Sequence, residues 1–151
     1  LPDVELIKVG RAHFEREREH LIKLADQLGV RTAIHFVEEV SEDDLVSLYN
    51  LAEVCVMPSL YEGFGFPVLE AMACGTLVVY ANAGSLPEIA GTAAICVSPC
   101  DARSLAGALL DVLDERANKV ISKAHRRAQA ARFTWSATVK NTAAVYRRLL
   151  S

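Results

Sequence analysis

The chain has 151 residues, 52% hydrophobic and 23% charged, with a net charge of −3. That length suits one domain, residues 1–151, around a single core and excludes a second full one. The composition excludes disorder and a fibrous architecture, and no stretch approaches the roughly 18 uninterrupted apolar residues of a membrane span.

In chain order, Val4 to Val9 is a short apolar-rich run stopped by Gly10, which predicts a strand entering a turn. From Ala12 to Leu28, the residues Phe14, Leu21, Leu24, Ala25 and Leu28 recur at helical spacing. The other face of that helix holds the pairs Glu15–Arg18 and Glu19–Lys23, and Gly29 supplies a stop. Thr32 to Val37 predicts a second strand. Ser41 with Asp44 forms a capping-box pattern that opens a helix through Leu45, Leu48 and Leu51. Val54 to Met57 predicts a third strand, ended by Pro58.

After a glycine-rich loop, Pro67 stands where the first turn of a helix tolerates proline, and the helix runs through Ala73 to the stop Cys74-Gly75. Leu77 to Tyr80 predicts a fourth strand, a loop with Asn82, Gly84 and Pro87 follows, and Ala94 to Val97 predicts a weak fifth strand. Asp101 can cap a helix through Leu105, Leu109, Leu110 and Leu113. Two more helices are expected, from Arg116 to Arg132 and from Ser136 to Leu150, with Trp135 anchoring the last one to the core. Near-continuous apolar strands alternating with helices indicate an α/β, doubly wound, mostly parallel sheet. Ligands of such sheets bind at the carboxyl ends of the strands.

Charge is unevenly spread, with 6 Lys/Arg against 14 Asp/Glu in residues 1–75 and 10 against 5 in residues 76–151. The basic half carries no interleaved aromatics or nucleic-acid motif, so no nucleic-acid partner is expected. Cys55, Cys74, Cys96 and Cys100 form no CxxC pair and are expected to be reduced and mostly buried. The first residues, LPDVELIKVG, do not read as a secretion signal, so a cytoplasmic location is expected.

Of the loops at strand ends, the one after Met57 is chemically dense: SLYEGFGFPVLEAMACGT, residues 59–76. Gly63 and Gly65 let the backbone take left-handed angles and approach a ligand closely. Phe66-Pro67 leads directly into a helix N-terminus, whose unpaired N–H groups and dipole attract anions. Glu62 precedes the glycines and Glu70 follows one turn inside the helix; ionised carboxylates accept at both oxygens and suit vicinal diols.

On these residues the chain resembles the C-terminal, nucleotide-sugar-binding domain of family-4 (group 1) glycosyltransferases of the GT-B fold. The matching pieces are PDVELIKVG, HFVEEVSEDDLVSLYNLAEVCVMPSLYEGFGFPVLEAMACGTLVV, NAGSLPEIAG and FTW; of these EGFGFPVLEAMACG, with two glutamates eight residues apart, is the most specific. The resemblance implies a retaining transfer of a hexose-type sugar from a nucleotide donor such as a UDP- or GDP-sugar. Glu62 falls at the position that meets hydroxyls of the donor sugar and is the candidate catalytic residue; Glu70 falls at the position that holds the ribose diol. Backbone amides of Gly63, Phe64 and Gly65 would contact the sugar, and those of Phe66, Pro67 and Val68 the diphosphate. No cofactor or metal is implied. The acceptor, a saccharide or a lipid-linked one, would be bound by a separate N-terminal domain, so that this chain alone is expected to be inactive. Many relatives act on lipid-linked acceptors, which allows a peripheral place at the inner membrane face. A nucleotide-sugar-binding module without transfer activity, or a GT-B sugar-nucleotide epimerase or phosphorylase, are the competing functions.

The chain departs from the family pattern in places. Glu38 stands where glycine is common, in the loop that holds the nucleobase, which leaves the choice of nucleotide open, and Leu77 stands where proline is usual. The family's first strand and helix of this domain, with an Arg/Lys pair for the diphosphate, have no counterpart; Arg11 is not that pair. In the family's strand order the absent strand lies between those at Val4 to Val9 and Val54 to Met57. The gap is expected to close by direct pairing of these two, by strand exchange with another copy, or by a strand from a complementing chain.

Other residues admit two readings. Tyr61 stacks on ligand or packs; Glu88 sits at the cleft mouth or braces its turn. Ser85 and Asn82 meet phosphate or sugar, or form a turn. The stripe Lys119, Lys123, Arg126 and Arg127 is a solvated face or a membrane contact. His13, His20, His35 and His125 lack metal-ligand spacing and are expected at the surface or in packing.

Overall fold

The computed structural model describes residues 4–11, 15–114 and 120–150, which divide into two compact units, 1–45 and 46–151. In the first unit, β1 (Leu6–Val9) and β2 (Ile34–Val37) pair in parallel, Leu6 opposite Ile34 and Val9 opposite Val37, joined by α1 (Glu15–Gln27). Among the α1 residues expected to face a core, Ala25 is buried, but Leu21, Leu24 and Leu28 are exposed. Phe14 and His13 lie outside the described residues. Arg18 does not pair with Glu15; it bonds Glu38 at 2.7 Å and lies 5.9 Å from the centre of the Phe36 ring. A 3₁₀ turn at Arg31–Ala33 shortens the second strand from its expected start at Thr32, because Ala33 N–H closes on Val30 O.

From Ser41 the chain enters α2 (Glu42–Leu51), which leads into the second unit. Ser41 Oγ accepts from Asp44 N–H at 3.1 Å and donates to Asp44 Oδ2 at 2.7 Å, so the expected cap forms with its reciprocal bond between side chains.

The second unit is a parallel sheet in the order β3 (Val54–Met57), β4 (Leu77–Ala81), β5 (Ile95–Val97). β4 is central and buried throughout, and its alternation divides the core. Val78 and Tyr80 pack with Val68 and Met72 of α3 (Phe66–Cys74), Leu86 and Ile89 of α4 (Leu86–Ala90), and Ala130 of α6 (Lys123–Ala130). Leu77 and Val79 face the other way, onto Leu105, Leu109 and Val112 of α5 (Ala102–Leu113). Helices therefore cover both faces, the arrangement expected of a doubly wound sheet.

Three elements of this unit differ from expectation. The segment with Pro87 is not all loop: α4 forms there, since proline is tolerated in a first helical turn and five residues are too few to show a period. The helix expected from Arg116 is α6, capped by Ser122 Oγ, which accepts from His125 N–H at 3.2 Å; residues 115–119 lie outside the described ones. α7 (Trp135–Leu149) begins one residue early because Thr134 Oγ1 caps it. Trp135 does not anchor that helix, being 78% exposed, and Val139, Tyr146 and Leu149 continue the same outward stripe.

The basic stripe is split: Lys123 and Arg127 are exposed, as a solvated face requires, but Arg126 is not. Arg126 is buried, its guanidinium held below its ordinary value by burial, and Arg127 donates to Cys74 O at 3.1 Å. Lys119 lies outside the described residues. All four cysteines are free, Cys55 and Cys74 half-buried but Cys96 and Cys100 exposed. His35 pairs with Glu5 at the surface and His125 meets Thr92 Oγ1 at 3.1 Å. Among the described residues, β1 pairs with β2 within the first unit and β3 with β4 within the second. No described helix is long and apolar enough to cross a membrane.

Candidate functional site

The loop from β3 to α3 leaves the carboxyl end of β3 and bends at Gly65, whose φ of +98° lies in the left-handed region. A side chain is excluded there twice over, since a Cβ would stand 2.8 Å from Leu86 Cδ2. Gly63 does not use its conformational freedom: its φ is not positive and open space surrounds it.

The helix start offers fewer donors than the sequence suggests. Pro67 has no N–H. Val68 N–H is turned back to Gly65 O at 3.1 Å, and the Val68 side chain is fully buried. The amides of Gly63, Phe64, Gly65 and Phe66 have no hydrogen-bond partner among the described residues, and that of Phe66 lies at the positive end of α3.

Glu62 is half-buried on the approach to the bend, and its carboxylate has no partner among the described residues. Glu70, also half-buried, accepts a hydrogen bond at Oε2 from the Tyr49 hydroxyl at 3.0 Å. Burial first, and then the Glu70 charge, hold the Tyr49 hydroxyl well above its ordinary value; the same two causes push the Cys55 thiol up to about 11.

The loop from β4 to α4 braces this elbow. Ser85 Oγ lies 3.0 Å from Glu62 O and 2.8 Å from Phe64 O, so its hydroxyl donates to elbow carbonyls rather than to a ligand. Gly84 lets the two backbones meet, since a Cβ there would stand 3.1 Å from Glu62 N. Phe64 packs against Phe66, ring centres 4.8 Å apart, and edge-on against Phe133 at 6.0 Å. Phe133 thus ties the FTW segment to the elbow. Tyr61 is 87% exposed, so its packing alternative is not taken. Glu88 is exposed in the first turn of α4, where no side-chain bond to a described residue braces the turn. Glu38 belongs to the first unit, on its Arg18 ion pair beside Phe36 and Gly10.

Sequence reasoning missed Tyr49, Gly84 and Phe133 as parts of this site; the matched NAGSLPEIAG and FTW strings were the available signals for the last two. A separate cavity of about 150 Å³, lined by Asn50, Glu53, Thr76 and Lys123, opens at the opposite end of β4, beside Leu77.

Residues 1–133 match the family described as Glycosyl transferases group 1. The chain is 38% identical over 133 residues to the serotype-specific mannosyltransferase WbdA of Escherichia coli, covering 87% of this chain but 16% of that protein. Among solved structures, the C-terminal domain of a glycosyl transferase group 1 family protein, LpcC, from Francisella tularensis superposes with a TM-score of 0.75 at 24% identity, covering 86% of this chain and 69% of that one. The Anabaena protein HepE, in complex with UDP-glucose, superposes with a TM-score of 0.83 at 24% identity, covering 98% of this chain and 42% of that one. These two likenesses are of fold, and they match the α/β architecture of the C-terminal, Rossmann-like half of a GT-B protein. By the family match over residues 1–133, this chain belongs to the group 1 glycosyltransferases.

Proposed function

We propose that this chain binds the nucleotide-sugar donor of a retaining glycosyltransferase and that the β3–α3 elbow is the donor site. The observation that carries the reading is the bend at Gly65, which brings an unpartnered carboxylate, a row of unpartnered amides and the start of α3 into one short segment. In this reading Glu62 touches hydroxyls of the donor sugar, the amides of Gly63, Phe64 and Gly65 support that sugar, and Glu70 accepts from the ribose diol. The bond from the anomeric carbon to the diphosphate breaks, a bond to an acceptor hydroxyl oxygen forms with the same anomeric configuration, and the acceptor's proton passes to an oxygen of the departing diphosphate. Negative charge gathers on the departing diphosphate, where the Phe66 amide and the dipole of α3 meet it without a metal ion or cofactor.

The likeness to WbdA, a mannosyltransferase, favours a hexose, and the fold shared with HepE, solved with UDP-glucose, makes a UDP-sugar the first donor to try. The acceptor, a saccharide or a lipid-linked one, is assigned to another part of a longer polypeptide. A further strand, from such a polypeptide or from a second copy, is proposed to complete the sheet; a strict monomer in solution removes the second copy.

Calorimetry on the full-length protein with UDP-, GDP- and ADP-sugars tests the donor site. Glu70→Ala is expected to weaken donor binding by about 1–3 kcal/mol, the loss when buried hydroxyls lose a charged partner. Glu62→Ala is expected to lower kcat strongly with a smaller change in donor affinity. Unchanged donor affinity in Glu70→Ala together with unchanged turnover in Glu62→Ala overturns the reading.

A further inference from the structure

Glu70 is held by the protein before any ligand arrives. Tyr49, on α2, donates its hydroxyl hydrogen to Glu70 Oε2 at 3.0 Å, while Oε1 has no partner among the described residues. Tyr49 is itself fixed from two sides. Its ring packs against the core cluster that contains Val68 and Met72 of α3. Its main-chain oxygen accepts from the hydroxyl of Thr76, a buried residue in the turn between α3 and β4.

A glutamate has three rotatable side-chain bonds, and freezing them when a ligand binds costs conformational entropy. A donor anchored as Tyr49 is meets that cost during folding instead. It also occupies one oxygen only, so the second oxygen and the remaining lone pairs are left for two adjacent hydroxyls. The phenol is protonated and able to donate throughout the neutral range, as any tyrosine is, and burial extends this to higher pH.

We infer that Tyr49 is a positioning residue of the donor site, orienting the Glu70 carboxylate so that it accepts from the ribose diol; this rests on the role proposed for Glu70 above. Tyr49 acts through Glu70 and touches no ligand. Removing its hydroxyl should therefore lower affinity for the ribose hydroxyls and leave the reacting centre alone.

The test is a double-mutant cycle on the full-length protein with Tyr49→Phe, Glu70→Ala and both together. The probes are UDP or GDP, whichever binds more tightly, and its 2′-deoxy form. Tyr49→Phe is expected to raise the Kd of the ribonucleotide about tenfold, the scale of one hydrogen bond to a charged group. It should barely change the Kd of the deoxynucleotide, so that the ribose preference falls, while kcat at saturating donor stays unchanged. In the Glu70→Ala background, Tyr49→Phe should have no further effect. A merely structural role for Tyr49 would weaken both nucleotides alike, and that outcome overturns the inference. If Glu70→Ala loses ribonucleotide affinity but Tyr49→Phe keeps it, the inference fails alone. If Glu70→Ala binds both nucleotides as the unmodified protein does, the role of Glu70 fails first and that of Tyr49 with it.

Discussion

The hydroxyl of Ser85 sits 3.0 Å from the main-chain oxygen of Glu62, across 23 residues of sequence. Phe64 O is also within its reach, so one side chain secures the elbow on both sides of Gly63. Ser85→Ala removes the one hydroxyl hydrogen that these two carbonyls share and should cost about 1 kcal/mol of stability, read by calorimetric melting. Donor Kd should rise several-fold, because the amides between those carbonyls lose their fixed direction. A stability loss with unchanged donor affinity would show that the brace serves folding alone.

Gly65 and Gly63 should respond in opposite ways to the same change. Gly65→Ala places a Cβ at a φ of +98° and 2.8 Å from Leu86 Cδ2, in a core with no slack. The left-handed conformation alone costs about 1–2 kcal/mol for a residue with a Cβ, and the contact adds to it. Gly63→Ala meets neither obstacle and should leave the melting temperature within a degree or two while altering donor affinity. Equal destabilisation by both substitutions would contradict the geometry of the bend.

Alkaline stability should carry the signature of Cys55. Burial, then the Glu70 charge, push this thiol up to about 11 from its ordinary 9.0, so the native state holds the proton more tightly than the unfolded chain does. The stabilisation is complete below pH about 9 and is lost as the pH rises through about 11. Tyr49 and Tyr80, both raised chiefly by burial, steepen the decline at its upper end. Melting followed by far-ultraviolet circular dichroism should show a fall across this window, shallower in Cys55→Ala even though that variant melts lower at pH 7. An equally steep fall in both proteins would remove Cys55 as a contributor.

Much of the second unit was legible in the sequence because its signals are local. Asp101 accepts from Arg103 N–H and Ser104 N–H as an N-cap should, Pro67 sits in the first turn of α3, and the alternation of Leu77 to Tyr80 assigns each side chain to one face of β4. The two glutamates could be picked out because the residues between them form a turn and a helix start in themselves. Their environment could not. Tyr49 lies 21 residues before Glu70, and their hydrogen bond exists only once α2 and α3 have packed. The sequence offers Ser85 as a ligand contact or a turn former, whereas the structure uses it to brace a neighbouring loop, a role that no spacing encodes. The general preference of tryptophan for burial points Trp135 to the core, but that preference says nothing of an individual helix face.

Trp135 is also the single tryptophan of the chain, and it stands 78% exposed at the start of α7. Intrinsic emission from this protein is therefore a local reporter. Its wavelength should shift when something settles over the outward side of α7 and should change little when the sheet melts, since the indole is already wet in the native state. An unfolding curve drawn from tryptophan fluorescence would follow the fate of one surface, whereas a titration with a binding partner would find in it a built-in probe.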